Sequence, residues 1–104
     1  WCMMETPLGI LHAEEIAHAS QRVEALVLGT SDLAKDLQCS HSTNRLAFLT
    51  SLGLCILAAR AAGIAILDGV HLNLDDDDGL FCIKQYAKVA KLFIPTEKNS
   101  CSNL

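Results

Sequence analysis

An α/β fold built on a parallel sheet is what this sequence predicts, and three observations predict it. Three short apolar runs, at residues 1–4, 23–28 and 64–70, lie along the chain with helix-sized segments between them. These runs are apolar nearly throughout and do not alternate with polar positions, the pattern of strands covered on both faces in parallel sheets. The composition is core-forming, with 51% hydrophobic residues, which separates it from a disordered chain. At 104 residues it holds one small domain.

Residues 1–4 (WCMM) read as the first strand, and Pro7 and Gly9 mark a loop after it. Residues 12–20 (HAEEIAHAS) read as a helix, with Glu14 and Glu15 in the first turn, where the helix dipole favours negative charge. Ala13, Ile16, Ala17 and Ser20 share the face that would lie on the sheet. Residues 23–28 form the second strand. A polar loop at 29–43 follows, with a short helical turn at 32–37. Ser42 or Thr43 is placed to cap the next helix, 44–62, which Gly63 ends at the C′ position. Residues 64–70 form the third strand, with Asp68 near its end. The acid run at 75–78 lies in a loop that leads into a helix over 79–90.

Right-handed crossovers between parallel strands put all the strand C-termini on one edge, where α/β proteins gather their active sites. Glu5, Asp32 and Asp68 follow the three apolar runs and so belong to that edge. Glu5 and Asp32 are hard oxygen ligands at adjacent strand ends. They suit a divalent, magnesium-type site with positions left for substrate. On spacing alone the plainer reading stays open, that both acids cap loops or helices. Asp68 is expected either to support the strand end or to touch substrate.

Other features point away from chemistry. The run Asp75-Asp76-Asp77-Asp78 lacks the calcium-loop pattern and reads as a solvated helix start. His12, His18, His41 and His71 have no metal-ligand spacing and fit surface or capping roles. No GxGxxG or Walker pattern occurs. The five cysteines Cys2, Cys39, Cys55, Cys82 and Cys101 show neither a CxxC nor a zinc spacing. They are expected to be reduced, with Cys2 and Cys55 buried. The net charge of −4 and the lack of a basic stripe argue against nucleic acid as a partner. The apolar stretch at 46–67 is interrupted by Arg60 and two glycines, and reads as a buried helix and strand instead of a membrane span.

Six sequence words carry a family resemblance. They are Met4-Glu5-Thr6-Pro7-Leu8-Gly9, Leu28-Gly29-Thr30-Ser31-Asp32-Leu33-Ala34-Lys35-Asp36-Leu37, Leu49-Thr50-Ser51-Leu52-Gly53, Ala58-Ala59-Arg60-Ala61-Ala62-Gly63, Ala65-Ile66-Leu67-Asp68-Gly69-Val70 and Asp75-Asp76-Asp77-Asp78-Gly79. In this order and spacing the chain resembles the HpcH/HpaI aldolase group, the CoA-ester lyases of the citrate lyase beta-subunit type. Within it, malyl-CoA and citramalyl-CoA lyases are the nearest in kind.

The resemblance implies a (β/α)8 TIM barrel, of which this chain holds about strands five to seven, since a whole barrel takes about 250 residues. It places the partial barrel domain over residues 1–90 and a divergent tail over 91–104. It implies Mg2+ held by Glu5 and Asp32, and an acyl-CoA substrate. It also implies a homo-oligomer, trimeric or hexameric, in the cytoplasm or the mitochondrial matrix. The implied reaction is aldol-type cleavage of a 3-hydroxyacyl-CoA, of malyl-CoA type, to an acyl-CoA and a 2-oxoacid such as glyoxylate. Some members hydrolyse the thioester instead.

The loop Thr6, Pro7, Leu8 and Gly9 would meet the oxoacid carboxylate through its backbone amides, with Asp68 as a further substrate contact. Lys35 and Arg45 are candidates for the CoA phosphates. The family's oxyanion-steadying Arg, its Ile-His-Pro strand and its lid with a catalytic Asp find no counterpart here: Ile94-Pro95 lacks the His. The chain, opening at Trp1 inside an apolar run, is therefore expected to be a piece of a longer enzyme. The other reading is a non-catalytic remnant or interaction module.

Overall fold

The three apolar runs become the strands of one parallel sheet. The computed structural model describes residues 1–42 and 45–69. Strands β1 (Cys2–Met4), β2 (Ala25–Leu28) and β3 (Ala65–Leu67) lie in the order β1-β2-β3, all parallel. Cys2 stands opposite Leu26 and Leu26 opposite Ile66, while Met3, Val27 and Leu67 form the next row. Helices α1 (Pro7–Leu11) and α2 (Ala13–His18) connect β1 to β2. Helix α3 (Thr30–Asp36), a 3-10 turn (Leu46–Phe48) and α4 (Leu49–Ala62) connect β2 to β3.

The period-two alternation of a strand divides the sheet into two unlike faces. Met4, Leu26 and Leu28 point into the core with Leu33, Phe48, Leu52 and Cys55, and Cys2 and Ile66 pack against them. Helix α4 packs on α2 and on β2 and β3. Buried alanines at 13 and 17 on α2 and at 58 and 59 on α4 let these helices approach closely. The opposite face carries the Met3–Val27–Leu67 row, with Met3 56% and Leu67 40% exposed. Unalternating strands predict cover on both faces, and the described residues cover only one.

Several elements differ from the sequence expectation, each for a local reason. The loop expected at Pro7 and Gly9 is helix α1. Thr6 is its N-cap, and the Thr6 hydroxyl accepts a hydrogen bond from the Gly9 amide at 3.1 Å. Pro7 stands in the first turn, where its missing N–H leaves no intrahelical bond unmade. The single helix expected at 12–20 is α2 alone, set off from α1 by His12 at φ −103°, ψ 19°. The short turn at 32–37 is the longer α3, which starts at Thr30.

The helix expected over 44–62 begins only at Leu49, because Arg45 adopts a left-handed conformation (φ 54°, ψ 27°) that a right-handed helix cannot continue through. Phe48 occupies the N-cap of α4 and gives no side-chain cap, so α4 does not start from the cap expected at Ser42 or Thr43, of which Thr43 lies outside the described residues. Gly63 ends α4 as expected, at φ 68°. Its amide bonds the Arg60 carbonyl at 3.2 Å and the Ile64 amide bonds Ala59 at 2.9 Å, a Schellman closure. Val70, His71, the 75–78 acid run, the 79–90 helix, Cys82, Cys101 and the 91–104 tail lie outside the described residues. Among the described residues no helix is long and apolar enough to cross a membrane.

Cys2, Cys39 and Cys55 are free thiols. Cys55 is fully buried, and burial pushes its thiol up from 9.0 to about 11. The folded value lies above the unfolded one, so between the two the unfolded chain ionises first and stability falls as pH rises. A loss of roughly 2 kcal/mol by pH 11 is expected from this thiol. Urea midpoints of the wild type and Cys55→Ala, followed from pH 8.5 to pH 11, should converge. Parallel curves would show that the thiol does not titrate in this way.

Candidate active site

All three strands deliver their C-terminal ends to one edge. There the chain leaves β1 through Glu5, β2 through Gly29, and β3 through Asp68 and Gly69. An open cleft of about 180 Å³ lies at this edge. Among the described residues its lining includes Glu5, Asp32 and Asp68, the three acids that the sequence assigns to the strand ends. Met3 and Val27 of the exposed sheet face form its apolar side, and Gly29 and Thr30 its floor.

Glu5 is half-buried and Asp32 exposed. Asp32 sits in the first turn of α3, and Gly29 is the N-cap of that helix. Neither carboxylate has a side-chain hydrogen bond or ion pair among the described residues. The acids of α2, away from the cleft lining, behave differently. Glu14 meets His18 at 3.3 Å and Glu15 meets His12 at 3.4 Å, which are ordinary surface pairs.

Gly29 shapes the Glu5 half of the cleft. A Cβ at this position would stand 2.7 Å from Glu5 Cβ, 2.8 Å from Glu5 Oε2 and 3.2 Å from Met3 Sδ. Its φ of −91° suits any residue, so the glycine is required by space and not by conformation. Glu5 Cβ is tied to the backbone and cannot swing away as the end of a side chain does. Gly29→Ala is therefore expected to push the Glu5 carboxylate out of the cleft and to weaken about tenfold or more any divalent-metal binding that Glu5 supports. Gly53→Ala, on an open part of α4 with nothing within 4 Å, is the control expected to change neither binding nor fold. Equal metal titrations for all three proteins would show that Glu5 does not need this space.

Asp68 has a partner that the sequence does not reveal. Its Oδ2 accepts from Arg45 Nη1 at 2.5 Å, and its Oδ1 from Arg45 Nη2 at 2.7 Å and from the Gly69 amide at 2.7 Å. The two side chains are only 10% and 17% exposed. Arg45, read from the sequence as a candidate for CoA phosphates, instead spends its guanidinium in this buried fork. Gly69 packs on Thr30, where a Cβ would come within 2.6 Å of the Thr30 hydroxyl and 3.0 Å of the Leu28 carbonyl. Lys35 remains exposed in the last turn of α3.

The turn at Thr6, Pro7, Leu8 and Gly9 leaves the same edge but is absent from the described cleft lining. Its Gly9 amide is used by the Thr6 hydroxyl. The His41 ring lies 5.3 Å from that of Phe48, tilted by 41°, a packing role. Gly29, Thr30 and Gly69 are cleft residues that the motif reading does not single out. The available signal was Gly29 directly after the second apolar run and Gly69 near the end of the third.

Among the described residues no group of three or more His, Cys, Asp or Glu gathers around one point. Magnesium asks for less, since it keeps several waters and is held by one or two carboxylates together with substrate oxygens. Two partnerless carboxylates on one cleft, one given room by a bare glycine Cα, fit such an ion by donor chemistry.

A family model described as HpcH/HpaI aldolase/citrate lyase matches residues 1–92. The chain is 55% identical over 80 residues to a (3S)-malyl-CoA thioesterase of Cereibacter sphaeroides (strain ATCC 17025 / ATH 2.4.3), covering 77% of this chain and 28% of that protein. It is 32% identical over 120 residues to a citrate lyase subunit beta of Leuconostoc mesenteroides subsp. cremoris, covering 97% of this chain and 40% of that protein. With the citrate lyase subunit beta of Escherichia coli (strain K12) it shares 37% identity over 76 residues, 73% of this chain and 25% of that protein. The chain thus spans between 25% and 40% of the length of these relatives. No solved structure gives a significant match.

Proposed function

Because this chain belongs to the HpcH/HpaI aldolase/citrate lyase family, we propose that it carries the metal-binding part of a CoA-ester enzyme, with Glu5 and Asp32 as the protein ligands of a Mg2+ ion. The observation that carries this reading is the pair of carboxylates on one cleft without a partner among the described residues, Glu5 just after β1 and Asp32 in the first turn of α3. We read the sheet as about strands five to seven of a (β/α)8 barrel. Three features support that reading: the parallel order β1-β2-β3, helix cover on one face, and the apolar Met3–Val27–Leu67 row on the other. In a barrel that row would face the packed interior.

The substrate under this proposal is a 3-hydroxyacyl-CoA of malyl-CoA type. A bound divalent ion would supply electrophilic stabilisation of oxygen charge and fix the oxyacid fragment in place. The chain's own contribution is to neutralise that ion with two carboxylates and to keep the cleft floor free of side chains at Gly29 and Gly69. In the lyase reading, the bond between the hydroxyl-bearing carbon and the carbon next to the thioester breaks. The hydroxyl loses its proton, and the enolate left on the thioester is reprotonated to the acyl-CoA. The other product is a 2-oxoacid such as glyoxylate.

A second reading is favoured by a specific observation, the 55% identity to a malyl-CoA thioesterase. There water adds to the thioester carbonyl, the carbon–sulfur bond breaks, and the CoA thiol leaves with a proton. Both readings use the same cleft. The remaining machinery, including an oxyanion-steadying Arg and a lid Asp from a neighbouring subunit of a homo-oligomer, belongs to the longer protein under this proposal. Incubating that longer protein with malyl-CoA and Mg2+ separates the outcomes. Glyoxylate with acetyl-CoA identifies the lyase, and malate with free CoA identifies the hydrolase. No turnover of any 3-hydroxyacyl-CoA would favour a non-catalytic remnant or interaction module.

A further inference from the structure

The Arg45–Asp68 fork has features that a simple surface ion pair lacks. Arg45 is 8% exposed and holds a left-handed backbone conformation, which is unfavourable for a residue with a Cβ. Such a conformation persists where the surroundings over-determine it, and it clusters at sites where geometry must be fixed. Here the guanidinium is held in a bidentate fork, whose planar geometry defines direction as well as distance. The fork also joins two elements. Arg45 precedes the 3-10 turn that leads into α4, and Asp68 follows β3.

From Asp68 the contacts run on towards the cleft. Asp68 Oδ1 accepts from the Gly69 amide and so orients the backbone at Gly69. Gly69 lies flat on Thr30, with no room for even a methyl group. Thr30 is buried and is the first residue of α3, two residues before Asp32 in the same turn. A short physical path therefore links a buried ion pair to the turn that presents one of the two cleft carboxylates. The other carboxylate is placed independently, by β1 and by the space at Gly29.

We infer that Arg45 and Asp68 are positioning residues of this site, which seat Gly69 against Thr30 and thereby fix the first turn of α3 that carries Asp32. The inference rests on Asp32 being a metal ligand, and the experiment keeps the two claims apart. Mn2+ titration followed by electron paramagnetic resonance reports affinity, and amide chemical shifts of Thr30, Ser31 and Asp32 report the turn itself. The 104-residue chain is used throughout.

Arg45→Lys keeps the charge but loses the fork, and Gly69→Ala disturbs the same path while keeping both side chains of the ion pair. Both are expected to shift the three amides and to weaken Mn2+ binding about tenfold or more. Glu15→Ala, on the exposed side of α2, is expected to leave both readouts unchanged. If Asp32→Asn abolishes binding while Arg45→Lys and Gly69→Ala leave affinity and amide shifts as in the wild type, the positioning role is overturned and the metal site stands. If Asp32→Asn binds Mn2+ as the wild type does, the ligand assignment fails and the positioning role fails with it. Should Arg45→Lys not fold, Gly69→Ala alone decides by the same two readouts.

Discussion

Asp68→Ala is expected to lower the free energy of unfolding by about 3 kcal/mol. The reason is what the substitution leaves behind. Arg45 is held in a left-handed conformation with its guanidinium almost out of water, and Asp68 supplies acceptors to two of its nitrogens. Removing only the acid takes both acceptors of the fork away from a buried cation, which costs more than the intact pair contributes. The Gly69 amide loses its acceptor in the same step. Against a total stability of roughly 5–15 kcal/mol for a small domain, the effect is large. Urea unfolding at pH 7 measures it, with Asp36→Ala at the exposed end of α3 as the control. A midpoint for Asp68→Ala equal to that of the control would show that the fork carries no stability.

The opposite pattern is expected for Glu5 and Asp32. Neither carboxylate has a protein partner among the described residues, so neither contributes an interaction to the fold that substitution would remove. Glu5→Gln and Asp32→Asn keep the size of each side chain and remove its charge. Stability is expected to change by less than about 0.5 kcal/mol, as at surface sites without special features. Divalent-metal binding is expected to fall by more than about 100-fold in each, beyond the loss typical of a supporting residue. Acids that matter to a ligand and not to the fold are what a binding edge contains.

How much of this was legible in the sequence depends on how local each determinant is. The strands were, because unbroken apolar runs such as Ala25-Leu26-Val27-Leu28 have few alternatives once helix-sized segments flank them. Their parallel arrangement then brings Glu5, Asp32 and Asp68 to one cleft without further information, through crossover geometry. Family membership was equally legible, because the words around Glu5, Asp32 and Asp68 are ordered and spaced along most of the chain.

Helix α1 was not legible from breaker residues. Pro7 and Gly9 read as a loop, yet Thr6 followed by proline is also a helix start, and the capping reading won. The Arg45–Asp68 fork left no local signal at all, since its partners are 23 positions apart and Arg45 owes its role to a backbone conformation that composition does not announce. Gly29 followed the same rule. Its necessity lies in Glu5, just past the end of a different strand, whose Cβ would stand 2.7 Å from a Cβ at position 29.

The central claim is that Glu5 and Asp32 together hold a divalent ion at the strand edge. Titrating Mn2+ into the chain, its Glu5→Gln form and its Asp32→Asn form, with unfolding midpoints recorded on the same proteins without metal, tests that claim most directly. The account predicts saturable binding by the wild type, loss of that binding in both variants, and midpoints that coincide. Binding of equal strength in all three proteins, or no binding by any of them, would contradict it.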